Sequence, residues 1–350
     1  MKRLVFCLFI LFLTQCTVER LACNCPRVFV FTDINIDAGD PDDRQSLVHL
    51  LWYADELRIE GIVPDRWEAQ GYKACELALK SYYKDYQSFQ LAEKGYPLPD
   101  SLKNRVAIDF DHAMQLFVKA ASVQTNPLYV LIWGNMVNFG KALRQNPDLS
   151  DNIRVITIGT HLMMEEYRVH IPESWEKTEK PCEQYNWNGF GRNEIFDDPR
   201  FTDMWWLEIN WTYEGMFSGK EPKEMFGKLS KYGALAQHIK EVVKNQDWAQ
   251  YFRVGDTPTV LYVIDPGHDL SNPAQASWAG RFVQPFPQER PNYYTDDSGP
   301  VEWNYAHPCS TWGNHVDMNR YAKSTLEAQR PEMYRALLEK LEKIYREKRK

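Results

Sequence analysis

Short apolar runs alternate with segments of helical periodicity over most of this chain. Residues 27–33, RVFVFTD, combine β-branched and aromatic side chains and end in polar ones, which predicts a buried strand. Residues 42–55 have helical periodicity, with acidic residues in the first turn, where the helix dipole favours them. The apolar face of this helix consists of Leu47, Leu50, Leu51 and Ala54. Residues 59–63 form the next predicted strand, and a strand, helix, strand unit predicts parallel pairing.

The same alternation recurs along the chain. Further strands are predicted at residues 127–133, 153–159, 205–211 and 259–264. Residues 138–144 are predicted to begin a helix, and residues 332–348 are predicted to form an amphipathic helix. The predicted fold class is therefore α/β, an open and mostly parallel sheet with helices on both faces, in which ligands bind at the carboxyl ends of the strands.

Two long stretches, residues 184–203 and 265–300, have no clear periodicity. Loops of this length are uncommon in compact domains unless they are functional. We therefore expect them to lie over the carboxyl edge of the sheet.

The first 22 residues have the pattern of a signal peptide. Lys2 and Arg3 precede an apolar run at 4–13 that is too short to span a bilayer. Export to the periplasm, the cell surface or the medium follows. The sequence around Cys16 is similar to a bacterial lipobox, but Gln15 stands where a small residue is expected, so a lipid anchor on Cys16 and simple cleavage both remain open. Residues 23–350 contain no repeat or low-complexity linker, which predicts a single domain.

Composition narrows the range of partners. The net charge is −7, and no basic stripe is present, which argues against nucleic acid as a partner. The 12 tryptophans and 19 tyrosines are typical of a large aromatic core, or of a site that stacks on sugars or bases. The expected partner is a small molecule, either a nucleoside or a glycan.

The most informative stretch is TDINIDAGDPDDRQSL, residues 32–47. Five carboxylates fall within eleven residues, directly after a buried strand: Asp33, Asp37, Asp40, Asp42 and Asp43. Their mutual repulsion is costly without a cation, and Ca²⁺ accepts several carboxylate and carbonyl oxygens. The alternative is a solvated acidic turn in which Asp42 or Asp43 only caps the helix.

An aspartate at a strand end followed by an Asp-Asp pair at a helix start resembles the N-terminal metal motif of the nucleoside hydrolases. The sequence after the pair, RQSLVHLLWYADELRIEGIV, is similar to the nucleoside-hydrolase-like domain of exported bacterial proteins described as cellulose-binding. The resemblance extends from about Arg27 to Arg281. It implies the fold of that family and a bound Ca²⁺ ion.

The resemblance also implies roles for individual aspartates. Asp33 would be both a metal ligand and the general base, Asp43 would bind the metal, and Asp42 would bind ribose hydroxyls. The insertion between Asp33 and the pair is longer than in the hydrolases, which leaves Asp37 or Asp40 as alternatives for the first role.

Two later segments are similar to the same family. LYVLIWGNMVNFGKAL, residues 128–143, resembles the strand and helix in which a backbone carbonyl binds the metal, and that carbonyl would belong to Trp133. GDTPTVLYVI, residues 255–264, resembles the segment that supplies the last carboxylate, Asp256. In nucleoside hydrolases a histidine that helps protonate the leaving base often precedes this aspartate, whereas this chain has Gly255.

Candidate substrate contacts follow in the two long loops. The loop at 185–199 corresponds to the region that presents polar side chains to ribose, and its candidates are Asn188, Asn193 and Glu194. SWAGRF, residues 277–282, supplies Trp278 and Arg281 as pocket candidates. In each case the alternative is a structural role, as a polar surface loop or as a clamp on the loop.

One further candidate is His268, in the sequence DPGHD at 265–269. Pro-Gly is a strong turn signal, and a simple turn is one interpretation of this segment. The other is that His268 reaches the pocket as a proton donor, because its loop begins at the end of a predicted strand.

Together these features predict metal-dependent hydrolysis of an N-glycosidic bond in a nucleoside or N-ribosyl substrate. Asp33 would take a proton from a water molecule held by Ca²⁺. The alternative is a non-catalytic exported carbohydrate-binding module that retains the metal cavity, which Gly255 and the cellulose-binding description of the family both favour. A third interpretation is a structural protein in which the metal only stabilises the fold.

Overall fold

The computed structural model describes residues 25–36, 42–163, 183–184, 187–245, 249–305 and 315–346. The predicted signal peptide at 1–22, including Cys16, lies outside the described residues, as do Asp37 and Asp40. No helix in the described segments is long and apolar enough to cross a membrane.

Among the described residues, seven strands form one sheet in the order β2-β1-β3-β4-β7-β9-β8. The pairs are parallel except for β8 and β9, which are antiparallel. The strands are β1 Arg27–Thr32, β2 Arg58–Pro64, β3 Leu128–Ile132, β4 Ile153–Ile158, β7 Trp206–Ile209, β8 Phe282–Val283 and β9 Tyr293–Asp296. Two short strands, β5 Leu162–Met163 and β6 Glu183–Gln184, pair with each other separately.

Eleven helices connect and cover these strands in the described part of the chain. They are α1 Asp42–Trp52, α2 Gly71–Ser88, α3 Pro99–Lys103, α4 Phe110–Ala121, α5 Val137–Gln145, α6 Arg192–Phe196, α7 Glu221–Leu229, α8 Gly233–Val243, α9 Pro258–Ile264, α10 His315–Glu327 and α11 Arg330–Ile344. Helices follow β1, β2 and β3 in turn, as the alternating sequence pattern predicts.

The sheet separates two hydrophobic cores. Successive residues of a strand point to opposite faces, so Val28 and Val30 of β1 enter one core while Phe29 and Phe31 enter the other. The first core lies under α1, α2, α8, α9 and α11, and the second lies under α4, α5 and α6. This arrangement confirms the predicted α/β class with helices on both faces.

The strand order places a crevice beside β1. From β1 the chain first adds β2 on one side and then returns to add β3 on the other side. Such a reversal of direction opens a crevice at the carboxyl ends of the two central strands, where ligands of open α/β sheets bind. The acidic segment after β1 begins at this edge.

Two predictions about the C-terminal third are wrong. Residues 259–264 belong to helix α9 and not to a strand, and every residue of α9 is buried. A short helix that is buried on all sides has no polar face, so its sequence has the same continuous apolar pattern as that of a buried strand. In addition, residues 265–300 are not simply a loop, because they contain β8 and β9.

Candidate metal centre

The site is built around the end of β1 and the start of α1. Asp33 directly follows β1, and Asp43 lies in the first turn of α1. The Thr32 hydroxyl donates a hydrogen bond to Asp43 Oδ1 and accepts one from the Ile34 backbone N–H at 3.1 Å. One threonine side chain therefore holds the helix start against the strand end.

The segment that follows β3 packs against Asp33. A Cβ atom placed on Gly134 would lie 2.9 Å from the Cβ atom of Asp33. Real Cβ atoms do not approach so closely, so the absence of a side chain at Gly134 allows the two strand ends to meet.

Three carboxylates converge beside this point. Asp42, Asp43 and Asp256 each have a carboxylate oxygen within 4.8 Å of the other two. All three residues are buried. Burial raises the pKa of Asp43 well above its usual value, and the charges of Asp256, Asp33 and Asp42 raise it further. The cluster is thus strongly unfavourable for three ionised groups unless a cation is bound.

Asp256 reaches the cluster because its segment is clamped to α1. The Gln45 side chain donates to the Tyr251 carbonyl at 3.1 Å and accepts from the Arg253 N–H at 2.7 Å. Gly255 then packs so closely that a Cβ atom there would lie 2.3 Å from Asp42 Oδ2. A residue 213 positions beyond Asp43 is brought to the same site by these contacts.

A second link connects this segment to β3. Trp133 Nε1 donates to Thr259 Oγ1 at 2.7 Å, and that hydroxyl donates to the Asp256 carbonyl at 2.8 Å. The Trp133 side chain is fully buried. Trp133 therefore helps to position Asp256 through its indole, and a metal-binding role for its carbonyl stays a prediction.

The residues present fit a hard divalent cation. Such ions prefer several carboxylate oxygens, and the three buried carboxylates provide them at one point. Asp42, which the resemblance assigns to ribose, is a member of this cluster. Asp33, which the resemblance assigns to the metal, is not one of the three among the described residues, although its charge acts on Asp43.

Asp65 is a further acidic residue at this edge that sequence reasoning missed. It follows β2, and burial raises its pKa to about 8, while the hydrogen bond from Asn138 Nδ2 at 3.0 Å lowers it and the charge of Asp33 raises it. The available signal was its place directly after a predicted strand, as for Asp33.

An aromatic pair at the ends of β4 and β7 was also missed. The Tyr213 hydroxyl and His161 Nε2 are 2.6 Å apart, and the His161 ring stacks on Trp211 with centroids 4.1 Å apart. Burial lowers the pKa of His161 to about 3, so its imidazole is neutral. Both residues follow predicted strands at the carboxyl edge of the sheet, and that was the signal that could have found them.

The three polar residues predicted to contact ribose lie in different environments. Asn188 donates to the Ile158 carbonyl at 3.1 Å, at the end of β4. Asn193 accepts a hydrogen bond from Arg192 at 3.2 Å. The Glu194 side chain is 63% exposed and pairs with Arg144 at 2.7 Å. Asn188 is thus the one whose side chain contacts the carboxyl end of a central strand.

Trp278 and Arg281 have different surroundings. The buried Trp278 lines a cavity of about 540 Å³ together with Tyr53 and Lys340. The Arg281 side chain is 53% exposed and pairs with Asp297 at 3.2 Å. Neither residue belongs to the carboxylate cluster.

His268 was expected to reach the pocket from a strand end, and that premise is wrong. Asp256 precedes helix α9 and His268 follows it. A helix of seven residues is about 10 Å long, so the two residues lie at opposite ends of that element. His268 packs edge-on against Tyr262, with centroids 4.5 Å apart, and burial lowers its pKa.

Fold and site together define a class, the open α/β proteins with a buried acidic cluster at the point where the strand order reverses. Within this class the chain belongs to the family described as "Cellulose-binding Sde182, nucleoside hydrolase-like domain", whose sequence model matches residues 27–282. The resemblance drawn from the N-terminal motif is confirmed.

The chain is similar to several solved structures. A nucleoside hydrolase-related hypothetical protein from Saccharophagus degradans, associated with carbohydrate metabolism, is 18% identical with a TM-score of 0.53 over 87% of this chain and 74% of that one. The inosine-uridine preferring nucleoside hydrolase from Bacillus anthracis is 16% identical, with a TM-score of 0.45 over 85% and 99% of the two chains. An inosine-guanosine nucleoside hydrolase is 13% identical, with a TM-score of 0.48 over 91% and 99%. No curated protein matches the sequence.

Proposed function

We propose that this protein hydrolyses the N-glycosidic bond of a nucleoside or a related N-riboside, with a divalent cation held by Asp42, Asp43 and Asp256. The observation that carries this proposal is the convergence of these three buried carboxylates within 4.8 Å at the carboxyl edge of the sheet. Membership of a nucleoside-hydrolase-like family supports it. Ca²⁺ is the proposed ion, with the Trp133 carbonyl as an additional ligand.

When bound, such a cation supplies positive charge that offsets the carboxylates and makes water more acidic. Asp33 is the proposed general base, because it lies at the end of β1, next to the cluster and outside it. Close approach of Gly134 fixes its position. Asp42 and Asn188 are the proposed partners of the sugar hydroxyls.

The other predicted contacts are given lower priority in this proposal. Glu194 and Arg281 form ion pairs at the surface, and Asn193 bonds to its neighbour Arg192. Trp278 lines a separate cavity, and His268 lies beyond the far end of α9. We propose them as supports of the surrounding loops.

A nucleoside panel tests the hydrolase. Purified protein, first freed of metal and then supplied with Ca²⁺, should release free base and ribose from at least one nucleoside. Asp33→Asn should lower kcat by about 10²–10⁴-fold, the usual contribution of a general base. The matched control is Asp151→Asn, which removes an exposed carboxylate. If the wild-type protein releases no base from any nucleoside, the proposed hydrolysis is wrong.

The second candidate function is carbohydrate binding without turnover. It is favoured by Gly255, where Asp42 Oδ2 and the Phe217 ring leave no room for a side chain that would approach the leaving group. The cellulose-binding description of the family also favours it. In this case cellulose or cello-oligosaccharides should bind in a pull-down or by calorimetry, and Asp33→Asn should bind them as well as the wild type does.

We further propose that the protein is exported. The cellulose-binding description of the family is consistent with an extracellular protein. Cys25 is disulfide-bonded, as is usual in oxidising compartments. The proposal includes a single domain over 23–350 and leaves two alternatives for the N-terminus, cleavage after a signal peptide at 1–22 or a lipid anchor at Cys16.

A further inference from the structure

The hydrogen-bonded pair of Tyr213 and His161 is held firmly at the carboxyl edge of the sheet. Strands β4 and β7 are neighbours, and each member of the pair follows the end of one of them. Asp296 accepts backbone hydrogen bonds at 2.5–3.1 Å from the turn at 210–212, which fixes the start of the segment that carries Tyr213. His161 has a φ of +52°, a strained conformation for a non-glycine residue, and such strain is concentrated at functional sites.

Direct contacts connect this pair to the carboxylate cluster. The Tyr213 ring meets the Phe217 ring edge-on, with centroids 5.6 Å apart. A Cβ atom on Gly255 would lie 2.8 Å from the Phe217 ring and 2.3 Å from Asp42 Oδ2. Tyr213, Phe217, Gly255 and Asp42 thus form a continuous wall beside the proposed cation site.

The electrostatic surroundings keep the Tyr213 hydroxyl protonated. Burial raises its pKa well above the usual value, and the charges of Glu214, Asp42 and Asp256 raise it further. The residue as a whole is half-buried, so part of its side chain is open to solvent. It is therefore a neutral donor within electrostatic range of two cluster carboxylates.

We propose that Tyr213 is the residue that donates a proton to the departing nitrogen, with His161 as its positioning residue. This inference rests on the proposed hydrolysis. As the bond between the anomeric carbon and nitrogen breaks, its electron pair goes to the nitrogen, which takes the Tyr213 proton. Water adds its hydroxyl to the carbon and its proton to Asp33. Solvent then accepts that proton from Asp33 and supplies a proton to Tyr213, which restores both groups.

The chemistry requires such a donor. A nitrogen base leaves slowly as an anion, and a positioned acid lowers the barrier by protonating it. When His161 carries its proton on Nε2, it donates to the Tyr213 oxygen and leaves the hydroxyl proton for the substrate. The same hydrogen bond stabilises the tyrosine oxygen as negative charge develops on it.

Two substrates with different leaving groups test this assignment. A purine nucleoside needs protonation of its base, whereas para-nitrophenyl riboside releases a stable phenolate without help. Tyr213→Phe should lower kcat for the purine nucleoside by about 10²-fold or more and change kcat for the aryl riboside by less than about 3-fold. The control is Tyr294→Phe, which removes the hydroxyl of another half-buried tyrosine and should leave both rates unchanged.

The role of His161 is tested in the same assay. His161→Phe retains an aromatic ring to stack on Trp211 but removes the nitrogen that faces Tyr213, and it should show the same selective loss on the purine nucleoside. His161→Gln restores a hydrogen-bonding group and should recover part of that loss. Binding of free purine base, measured by calorimetry, should weaken about 5-fold in Tyr213→Phe, the factor that one hydrogen bond of about 1 kcal/mol provides.

The outcomes separate this inference from the proposed function. Equal losses on the two substrates, or no loss on either, would overturn the role of Tyr213 while leaving the hydrolysis intact. A wild-type protein that cleaves only the aryl riboside would also overturn it, because no donor would then be acting. A wild-type protein that cleaves neither substrate and releases no base from any nucleoside of the panel would overturn the proposed function and this inference together.

Discussion

At the residue scale, the central feature is the cost of burying Asp43 beside other carboxylates. The charges of Asp256, Asp33 and Asp42 all act on it, and the hydrogen bond from Thr32 offsets part of their effect. Buried like charges destabilise a fold unless a counter-charge is bound, so the arrangement supports the proposed cation site. The cluster is not a solvated acidic turn that merely caps a helix, because the carboxylates of such a turn would be exposed and these are buried.

Gly255 provides a residue-scale prediction. Gly255→Ala should lower the affinity for Ca²⁺ by about 10-fold or more, because the new Cβ atom would collide with Asp42 Oδ2 and with the Phe217 ring. Calorimetric titration of metal-free protein with Ca²⁺ measures this change. Gly227→Ala is the control, since Gly227 lies in α7 with no atom within 4 Å of the added Cβ. It should bind Ca²⁺ normally, and a normal affinity in Gly255→Ala would contradict the packing described here.

The sequence predicts the acidic cluster better than the role of each member. Five aspartates after a buried strand indicate a cation, and the family resemblance adds Asp256 from the far end of the chain. The inclusion of Asp42 in the cluster depends on the helix start and on the packing of Gly255, which no local pattern specifies. Asp65, Tyr213 and His161 each follow a predicted strand, but the sequence does not show which of these strand ends are neighbours.

At the element scale, local sequence patterns predict the central strands correctly. They fail for a helix that is buried on all sides and for a short strand that is defined by pairing with a strand far away in the sequence. The patterns locate β1, β2, β3, β4 and β7 within a few residues, because each is a short β-branched or aromatic run. Helix α9 has the same composition and no exposed face, and only Pro258 at its first position signals a helix. Strand β9 has just four residues and is defined by its pairing with β7.

Asp296 at the end of β9 gives an element-scale prediction about pH. Burial raises its pKa to about 6, although three backbone hydrogen bonds lower it. The folded protein therefore binds the Asp296 proton more tightly than the unfolded chain, in which the carboxyl has its ordinary pKa of about 4. The contribution of this proton to stability is complete below about pH 4 and is lost as the pH rises through about 6. The loss amounts to about 3 kcal/mol for a shift of roughly two pKa units.

Urea unfolding at about pH 4 and about pH 7 measures this contribution. Asp296→Asn should lower the free energy of unfolding at the acidic pH, because an amide cannot accept all three backbone hydrogen bonds. The fall in stability between the two pH values should be smaller in the variant than in the wild type by about 3 kcal/mol. An identical pH dependence in the two proteins would show that Asp296 is not responsible.

At the scale of the whole molecule, the fold brings together residues that are far apart in sequence. Asp42 and Asp43 open α1 at one side of the crevice, and Asp256 is carried there by a segment that Gln45 and Trp133 fasten on two sides. The reversal of strand order beside β1 supplies the crevice. The site therefore depends on the complete sheet and its covering helices, and not on any single motif.

Calcium binding by the metal-free protein is the measurement that tests this account most directly. The wild type should bind one Ca²⁺ ion per chain in a calorimetric titration and unfold at a higher temperature when Ca²⁺ is present, because a ligand of the folded state stabilises it. Asp256→Asn should lower the affinity by about 100-fold, or about 2.7 kcal/mol, while Asp151→Asn should bind as the wild type does. If Asp256→Asn binds Ca²⁺ as tightly as the wild type, the three carboxylates do not share one cation and the proposed centre is wrong.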